Sequence, residues 1–252
     1  MKNWIPVLCY HRVAPKSEWG PDSSSLCVTP EQFHFQLRLL KWLGYSTIMP
    51  QSLTAFLKAQ KNLPKKPVLL SFDDGYEDNY RYALPILKKF SFRAVIFLIT
   101  EALGKKNTWD SGTLSMLTEA QVQEMLLAGI EFGSHTQTHL DLSKAPEDQI
   151  RTELKNSLEK LKEITQRTDI SFCYPYSRFT PQAKKLVEEA GYLCAFAGDN
   201  EFEGQDLFQL MRIQVFPKTS LFGFWKKIQP WYPAFAKLQK DRKKKKQSHI
   251  TS

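Results

Sequence analysis

The chain has 252 residues, 42% of them hydrophobic and 13% aromatic, enough for one sizeable core and ordinary for a single α/β domain. No run approaches the ~20 apolar residues needed to span a bilayer. The opening MKNWIPVLCYHRV does not read as a secretory signal, because Pro6 interrupts a short apolar run that ends at His11-Arg12 without a small-residue cleavage site.

The net charge of +9 is unevenly placed: residues 217–252 hold ten Lys/Arg and one acidic residue, which leaves 25 of each sign in residues 1–216. The chain therefore divides into a neutral body, 1–216, and a basic, aromatic C-terminal tail, 217–252. Cys9, Cys27, Cys173 and Cys194 form no Cys-x-x-Cys pair, which argues against a cysteine-based zinc site. Three of them lie in apolar runs, so reduced core thiols and a cytoplasmic setting are expected.

Along the body, apolar β-rich runs alternate with amphipathic helical patterns. The expected strands are Pro6–His11, Tyr45–Met49, Val68–Phe72, Ala94–Ile99, Ile130–Ser134, Ile170–Tyr174, Leu193–Ala197 and Met211–Phe216. Helices are expected near Pro30–Leu43, Gln51–Gln60, Asn79–Phe90, Glu119–Ala128, Glu147–Gln166 and Pro181–Ala190. Thr29-Pro30, Thr118-Glu119 and Thr180-Pro181 are helix starts, each with a capping hydroxyl before a Pro or an acid. Such alternation implies an α/β fold with a parallel sheet, either a small or distorted (β/α) barrel of about seven strands or an open doubly wound sheet.

One stretch, VLLSFDDGYED, runs a buried strand straight into two adjacent carboxylates, Asp73 and Asp74. Like charges side by side are costly unless something pairs with them. In parallel α/β folds active sites gather at the carboxyl ends of strands. Asp73-Asp74 lie at one such end, His135 and His139 of SHTQTH past another, His11 at a third and Tyr176 of YPYS at a fourth. Alone, Asp-Asp-Gly is an ordinary turn and His-x-x-x-His is often incidental. Together they suggest two imidazoles and one aspartate on a divalent metal, with the other aspartate free as a base near the attacking water. Zn²⁺ is the expected ion, and Co²⁺, Fe²⁺ or Mn²⁺ also suit such a donor set. His34 falls in a helical pattern and reads as structural, and His249 reads as a solvated tail residue.

At these residues the chain resembles the polysaccharide deacetylases of the NodB-homology type, carbohydrate esterase family four, over about residues 5–216. SFDDG is similar to the first motif of that family, which implies Asp73 as general base and Asp74 as metal ligand. SHTQTH is similar to the second, which implies His135 and His139 on the metal. YPYS is similar to the third, which lines the substrate groove with Pro175 and Tyr176, the Tyr176 backbone N–H serving the oxyanion. The family fold is a distorted (β/α) barrel of roughly seven strands. In many members the acid histidine lies near the C-terminus, but LMRIQVFPKTS holds no histidine. VLCYHRV instead resembles the opening strand of the circularly permuted branch typified by bacterial poly-N-acetylglucosamine deacetylases, which implies His11 as the acid.

The chain departs from the pattern in places. The arginine that orients the base is missing from the third motif, where Cys173-Tyr174 stand, and Arg178 is the nearby substitute. Ser177 stands where Gly is usual, and Asp199 lies near the position of an acidic partner. The resemblance implies metal-dependent removal of N-acetyl groups from an amino sugar in a glycan or glycan precursor. The rival readings are a non-catalytic carbohydrate binder on the same fold, or another amidase or O-deacetylase on the same metal site.

Residues 217–246 combine ten basic residues with Phe222, Phe224, Trp225, Trp231, Tyr232 and Phe235. That mixture suits an anionic membrane surface, placing the protein peripherally on the inner membrane face. On the plainer reading the rings pack on the barrel and the lysines stay solvated. Pro217, Pro230 and Pro233 are expected to break the tail into short segments ahead of a disordered Lys243–Lys246 end. With a neutral body and no recognised nucleic-acid motif, nucleic-acid binding is not expected.

Overall fold

The structure, a computed structural model, describes residues 4–19, 25–109, 112–198 and 206–248, with side chains through residue 242. In chain order the strands are β1 (Val7–Tyr10), β2 (Arg12–Val13), β3 (Cys27–Val28), β4 (Ser46–Thr47), β5 (Pro67–Phe72), β6 (Val95–Leu98), β7 (Glu131–Ser134), β8 (Phe172–Cys173), β9 (Ala195–Ala197), β10 (Leu210–Met211) and β11 (Ile213–Gln214). The helices are α1 (Pro30–Trp42), α2 (Pro50–Leu57), α3 (Leu84–Phe90), α4 (Glu119–Leu127), α5 (Glu147–Thr165), α6 (Pro181–Glu189), α7 (Leu221–Lys227) and α8 (Tyr232–Ser248). Thr29 and Thr118 complete capping boxes with Gln32 and Gln121, and the Thr180 hydroxyl accepts from the Ala183 N–H, as the sequence implies.

The main sheet runs β10-β9-β8-β7-β6-β5-β1-β11, every pairing parallel, with β4 joined to the start of β5. β10 and β11 stand at opposite ends of this path, yet only Arg212 separates them in sequence. Leu210 and Met211 pair with β9, while Ile213 and Gln214 pair with β1. One short stretch thus straddles the seam and draws the sheet into a distorted (β/α) barrel, with β10 and β11 sharing the seventh stave. This near-closure excludes the open doubly wound sheet.

Strand alternation sorts the side chains into two cores. Val7, Leu69, Val95, Phe97, Cys173 and Phe196 fill one cluster, inside the barrel. Leu8, Tyr10, Leu70, Phe72 and Ile96 belong to the larger core beneath the helices, with Leu37 of α1 and Leu158 of α5. The helix expected over Asn79–Phe90 opens instead as a wide π turn, Asn79–Ala83, before α3. Pro85 lacks the N–H that would reach the Arg81 carbonyl, so an α-helical register cannot continue through it.

The tail differs in part from expectation. Pro230 separates α7 from α8, but α8 continues through Lys243–Lys246, where disorder is expected from the sequence. Pro233 sits in the first turn, where its missing N–H costs nothing, and alanine, leucine and lysine favour the helix that follows. Phe224 and Ile228 are fully buried in the main core. The Tyr45 hydroxyl donates to the Ile228 carbonyl at 3.0 Å, and the Gln32 amide donates to the Pro217 carbonyl at 2.8 Å.

Candidate active site

β5 delivers Asp73 and Asp74 to the carboxyl-terminal mouth of the barrel. The chain then turns sharply through Asp74 and Gly75, with φ of 73° and 78°. Gly75 lies in the left-handed region that side chains rarely adopt, and a Cβ there would also press within 2.5 Å of Leu98 Cδ2, so the turn favours glycine. The turn aims the two carboxylates at different partners, which is how the chain tolerates them side by side.

Asp73 faces Arg212. The guanidinium grips it in a bidentate fork, Nη1 to Oδ1 at 2.5 Å and Nη2 to Oδ2 at 2.7 Å. Nε of the same arginine donates to the Ala197 carbonyl at 3.2 Å. Two buried thiols also contact the carboxylate, Cys9 at 3.5 Å and Cys173 at 3.7 Å. Burial pushes both thiols well above their ordinary pKa, which keeps them protonated donors. Burial pushes the Asp73 carboxyl up too, but the charge and hydrogen bonds of Arg212 outweigh it and hold the group well below the usual carboxylate range. His11, at the end of β1, brings Nε2 to 3.7 Å from Asp73 Oδ2. Its carbonyl accepts from the Asn79 amide at 3.1 Å.

Asp74 faces the other two histidines. Its Oδ1 lies 3.4 Å from His135 Nε2 and 3.5 Å from His139 Nε2. These three donor atoms all fall within 4.8 Å of one another. His135 Nδ1 is paired with the Cys173 carbonyl at 2.8 Å, so it carries the proton and leaves the Nε2 lone pair for a ligand. His139 Nδ1 is paired with the Tyr176 hydroxyl at 3.0 Å. Burial lowers the His135 pKa to about 4; burial, with His135 beside it, lowers that of His139 to about 2. Two neutral imidazoles and one carboxylate, backed by such partners, fit a divalent cation.

The segment between the two histidines is not helical: Thr136 and His139 both have positive φ, 69° and 68°. It is clamped from α5 by the buried Glu153. One carboxylate oxygen accepts the N–H groups of Gln137 and Thr138 at 2.8 and 2.9 Å, and the other accepts the Thr138 hydroxyl at 2.6 Å. Tyr176, half-exposed with φ of 56°, lies against His139 at 4.5 Å between ring centres, with Trp109 beside the same imidazole at 5.0 Å. Pro175 is buried at the start of the turn that carries Tyr176.

The sequence reading of Arg178 needs correction. Arg178 is exposed, pairs with Asp141 at 3.3 Å and lies over the Tyr176 ring. The guanidinium on Asp73 belongs to Arg212, in the segment LMRIQVF, which the sequence marks as a strand without a histidine. A lone charge in an apolar strand was the available signal, since a buried cation requires a partner. Glu153, Trp109 and the two thiols carry no sequence signal of that kind. Ser177 does adopt the left-handed conformation, φ 55°, that makes glycine usual at such a position. Asp199 lies outside the described residues, as does His249. His34 packs edge-on to Phe90.

A sequence model of the family described as Polysaccharide deacetylase matches residues 60–195, a segment that includes Asp73, Asp74, His135, His139 and Tyr176. The candidate polysaccharide deacetylase YxkH of Bacillus subtilis is 31% identical over 222 residues, spanning 87% of this chain and 74% of that protein. A poly-β-1,6-N-acetyl-D-glucosamine N-deacetylase of Staphylococcus aureus is 30% identical over 216 residues, spanning 78% of this chain and 72% of that one. Among solved structures, the Streptococcus pyogenes deacetylase PplD, in complex with acetate, superposes with a TM-score of 0.77 at 28% identity, over 90% of this chain and 98% of that one.

Proposed function

The chain belongs to the polysaccharide deacetylase family, and from that premise we propose that it is a metal-dependent hydrolase releasing acetate from an N-acetylated amino sugar in a glycan or glycan precursor. One observation carries this reading. A single strand-end mouth holds an Asp73–His11 pair on one side and an Asp74–His135–His139 donor set on the other. Zn²⁺ is the ion we assign, with Asp74, His135 and His139 as its ligands. Bound there, it supplies Lewis acidity for the acetyl carbonyl and the attacking water.

The remaining work falls to the chain's own groups. Asp73 takes the proton of the attacking water at a carboxylate oxygen. Arg212 keeps that carboxylate ionised and turned toward the mouth. Water oxygen adds to the acetyl carbon, and the Tyr176 backbone N–H steadies the resulting oxyanion. His11 donates a proton to the amide nitrogen as the C–N bond breaks, because an unprotonated amide nitrogen is a very poor leaving group. The products are acetate and a free amine on the sugar. A carbohydrate binder on the same scaffold would have no use for an acid histidine held 3.7 Å from the Asp73 carboxylate.

The test is acetate release by the purified, zinc-loaded chain from poly-β-1,6-N-acetylglucosamine oligomers, chito-oligomers and lipid-linked acetamido sugars. Asp73→Asn should keep bound metal and lose at least ~100-fold in rate, as expected for a missing general base. His11→Ala should do likewise and flatten the alkaline limb of the pH profile. Full turnover in Asp73→Asn would sink the assignment.

A further inference from the structure

Large apolar side chains are exposed mainly on one side of this molecule. Among the described residues nine are exposed, and six of these lie on α1, α7, α8 or the turn between the last two. Trp42 is 80% exposed, Phe222 66%, Leu238 50%, Leu221 47%, and Phe35 and Trp231 each 41%. Singly such residues are commonplace, but a contiguous group marks an interaction surface.

Phe35, Trp42, Leu221, Phe222 and Trp231 form one contiguous group. A cleft of about 540 Å³ opens between α1 and α7, walled by Phe35, Trp42, Leu221, Phe222 and Trp225. Phe222 stacks on Trp225 at 5.6 Å, Trp225 meets Trp231 at 6.3 Å, and Trp231 meets Phe235 at 5.8 Å. Cations are threaded through the rings. Lys226 Nζ lies 5.1 Å from the Phe222 ring centre and 5.7 Å from that of Phe235, and the Arg38 guanidinium lies 4.7 Å from that of Phe35. Residues 217–242 carry six Lys/Arg against one acid, Asp241.

We propose that this composite face of α1, α7 and α8 docks the protein on an anionic phospholipid surface, with Trp42 and Phe222 entering the headgroup layer and Arg38, Lys226 and their neighbours meeting lipid phosphates. Tryptophan and phenylalanine beside snorkelling lysines match that layer in both polarity and charge. A second copy of the chain is the weaker occupant, because self-pairing would oppose two strongly basic faces. The docking face is more than the basic tail: Phe35, Arg38 and Trp42 come from the body, and Phe224 and Ile228 tie α7 into the core. Among the described residues no helix is long and apolar enough to cross a membrane.

Deleting the tail would strip Phe224 and Ile228 from the core, so surface substitutions make the better test. The full chain should float with phosphatidylcholine vesicles containing phosphatidylglycerol, not with phosphatidylcholine alone, and binding should weaken at high salt. Trp42→Ser with Phe222→Ser should lower vesicle partitioning at least ~10-fold, given the apolar area withdrawn from water. Arg38→Glu with Lys226→Glu should abolish the preference for phosphatidylglycerol. Both variants should keep the wild-type melting temperature and turnover on a soluble oligosaccharide. Flotation of Trp42→Ser/Phe222→Ser equal to wild type, or no flotation of wild type, would overturn the proposal. So would a wild-type dimer in light scattering that the same variant dissociates, because the face would then be a subunit interface.

Discussion

Arg212 closes the barrel seam and holds both oxygens of Asp73 with the same side chain. The fold and the chemistry are joined at that contact. β10 pairs with one edge of the sheet, β11 with the other, and the residue between them points inward to the strand end that carries Asp73 and Asp74. Asp73 is thereby paired with a fixed cation, while Asp74 faces His135 and His139.

Arg212→Met should therefore do two separable things. It strands a buried carboxylate, which should lower stability by about 3–5 kcal/mol. It also releases the base from its orientation, so turnover should fall ~100-fold or more while bound metal persists. Arg212→Lys should recover part of the stability and little of the rate, because an ammonium cannot make the bidentate fork. Arg212→Met with Asp73→Asn should regain stability without activity. Thermal melts, metal content and acetate release distinguish these outcomes, and a fully active Arg212→Met would exclude the positioning role.

Much of this was legible in the sequence, for identifiable reasons. Thr29, Thr118 and Thr180 signal helix starts through local hydrogen bonds, which need nothing distant. Asp73-Asp74, His135 and His139 are unusual residue types at strand ends, so local pattern again suffices. Arg212 escaped because its role depends on a partner 139 positions away, across a seam that only closure creates. The α8 helix is hidden from a sequence reading because proline breaks a helix interior but not its first turn, where Pro233 sits.

Metal should stabilise the folded chain through three named ligands. Zn²⁺ should raise the melting temperature of the wild type in a concentration-dependent way, and a chelator should reverse it and abolish acetate release. Asp74→Ala or His135→Ala should remove most of the bound metal and nearly all activity. Stoichiometric zinc in purified Asp74→Ala, with unchanged turnover, would move the site elsewhere.

Burial of His135 and His139 gives the site a distinctive acid behaviour. An ordinary imidazole titrates near pH 6.5; here burial lowers His135 to about 4. At these two histidines the folded state thus binds fewer protons than the unfolded state between those values, and that contribution raises the stability of the metal-free chain with pH across the window, against the smaller opposite contribution of Asp78, whose pKa burial raises to about 6. The same shift keeps His135 a neutral ligand in mild acid. Denaturant unfolding of the metal-free chain at steps across that window should show more of this rise for wild type than for His135→Ala. An equal pH dependence in the two would show that the imidazole titrates as if exposed.

Glu153 contacts neither histidine, yet it fixes both. Its carboxylate accepts three hydrogen bonds from Gln137 and Thr138, the residues that bridge His135 and His139 through a turn with positive φ at Thr136. Glu153→Ala removes the acceptor for two backbone N–H groups and one hydroxyl, each lost bond costing about 1–3 kcal/mol where water cannot replace it. The freed loop should spread the ligand atoms, so zinc affinity should fall ~10–100-fold, as is typical when a group supporting metal ligands is lost. Glu153→Gln keeps the shape but turns an NH₂ group toward donors at one end, and should fall between wild type and Glu153→Ala. Competition against a chromophoric chelator measures the affinity directly, independent of turnover. Unchanged zinc affinity in a folded Glu153→Ala chain would mean that the loop holds its own geometry and that the clamp serves stability alone.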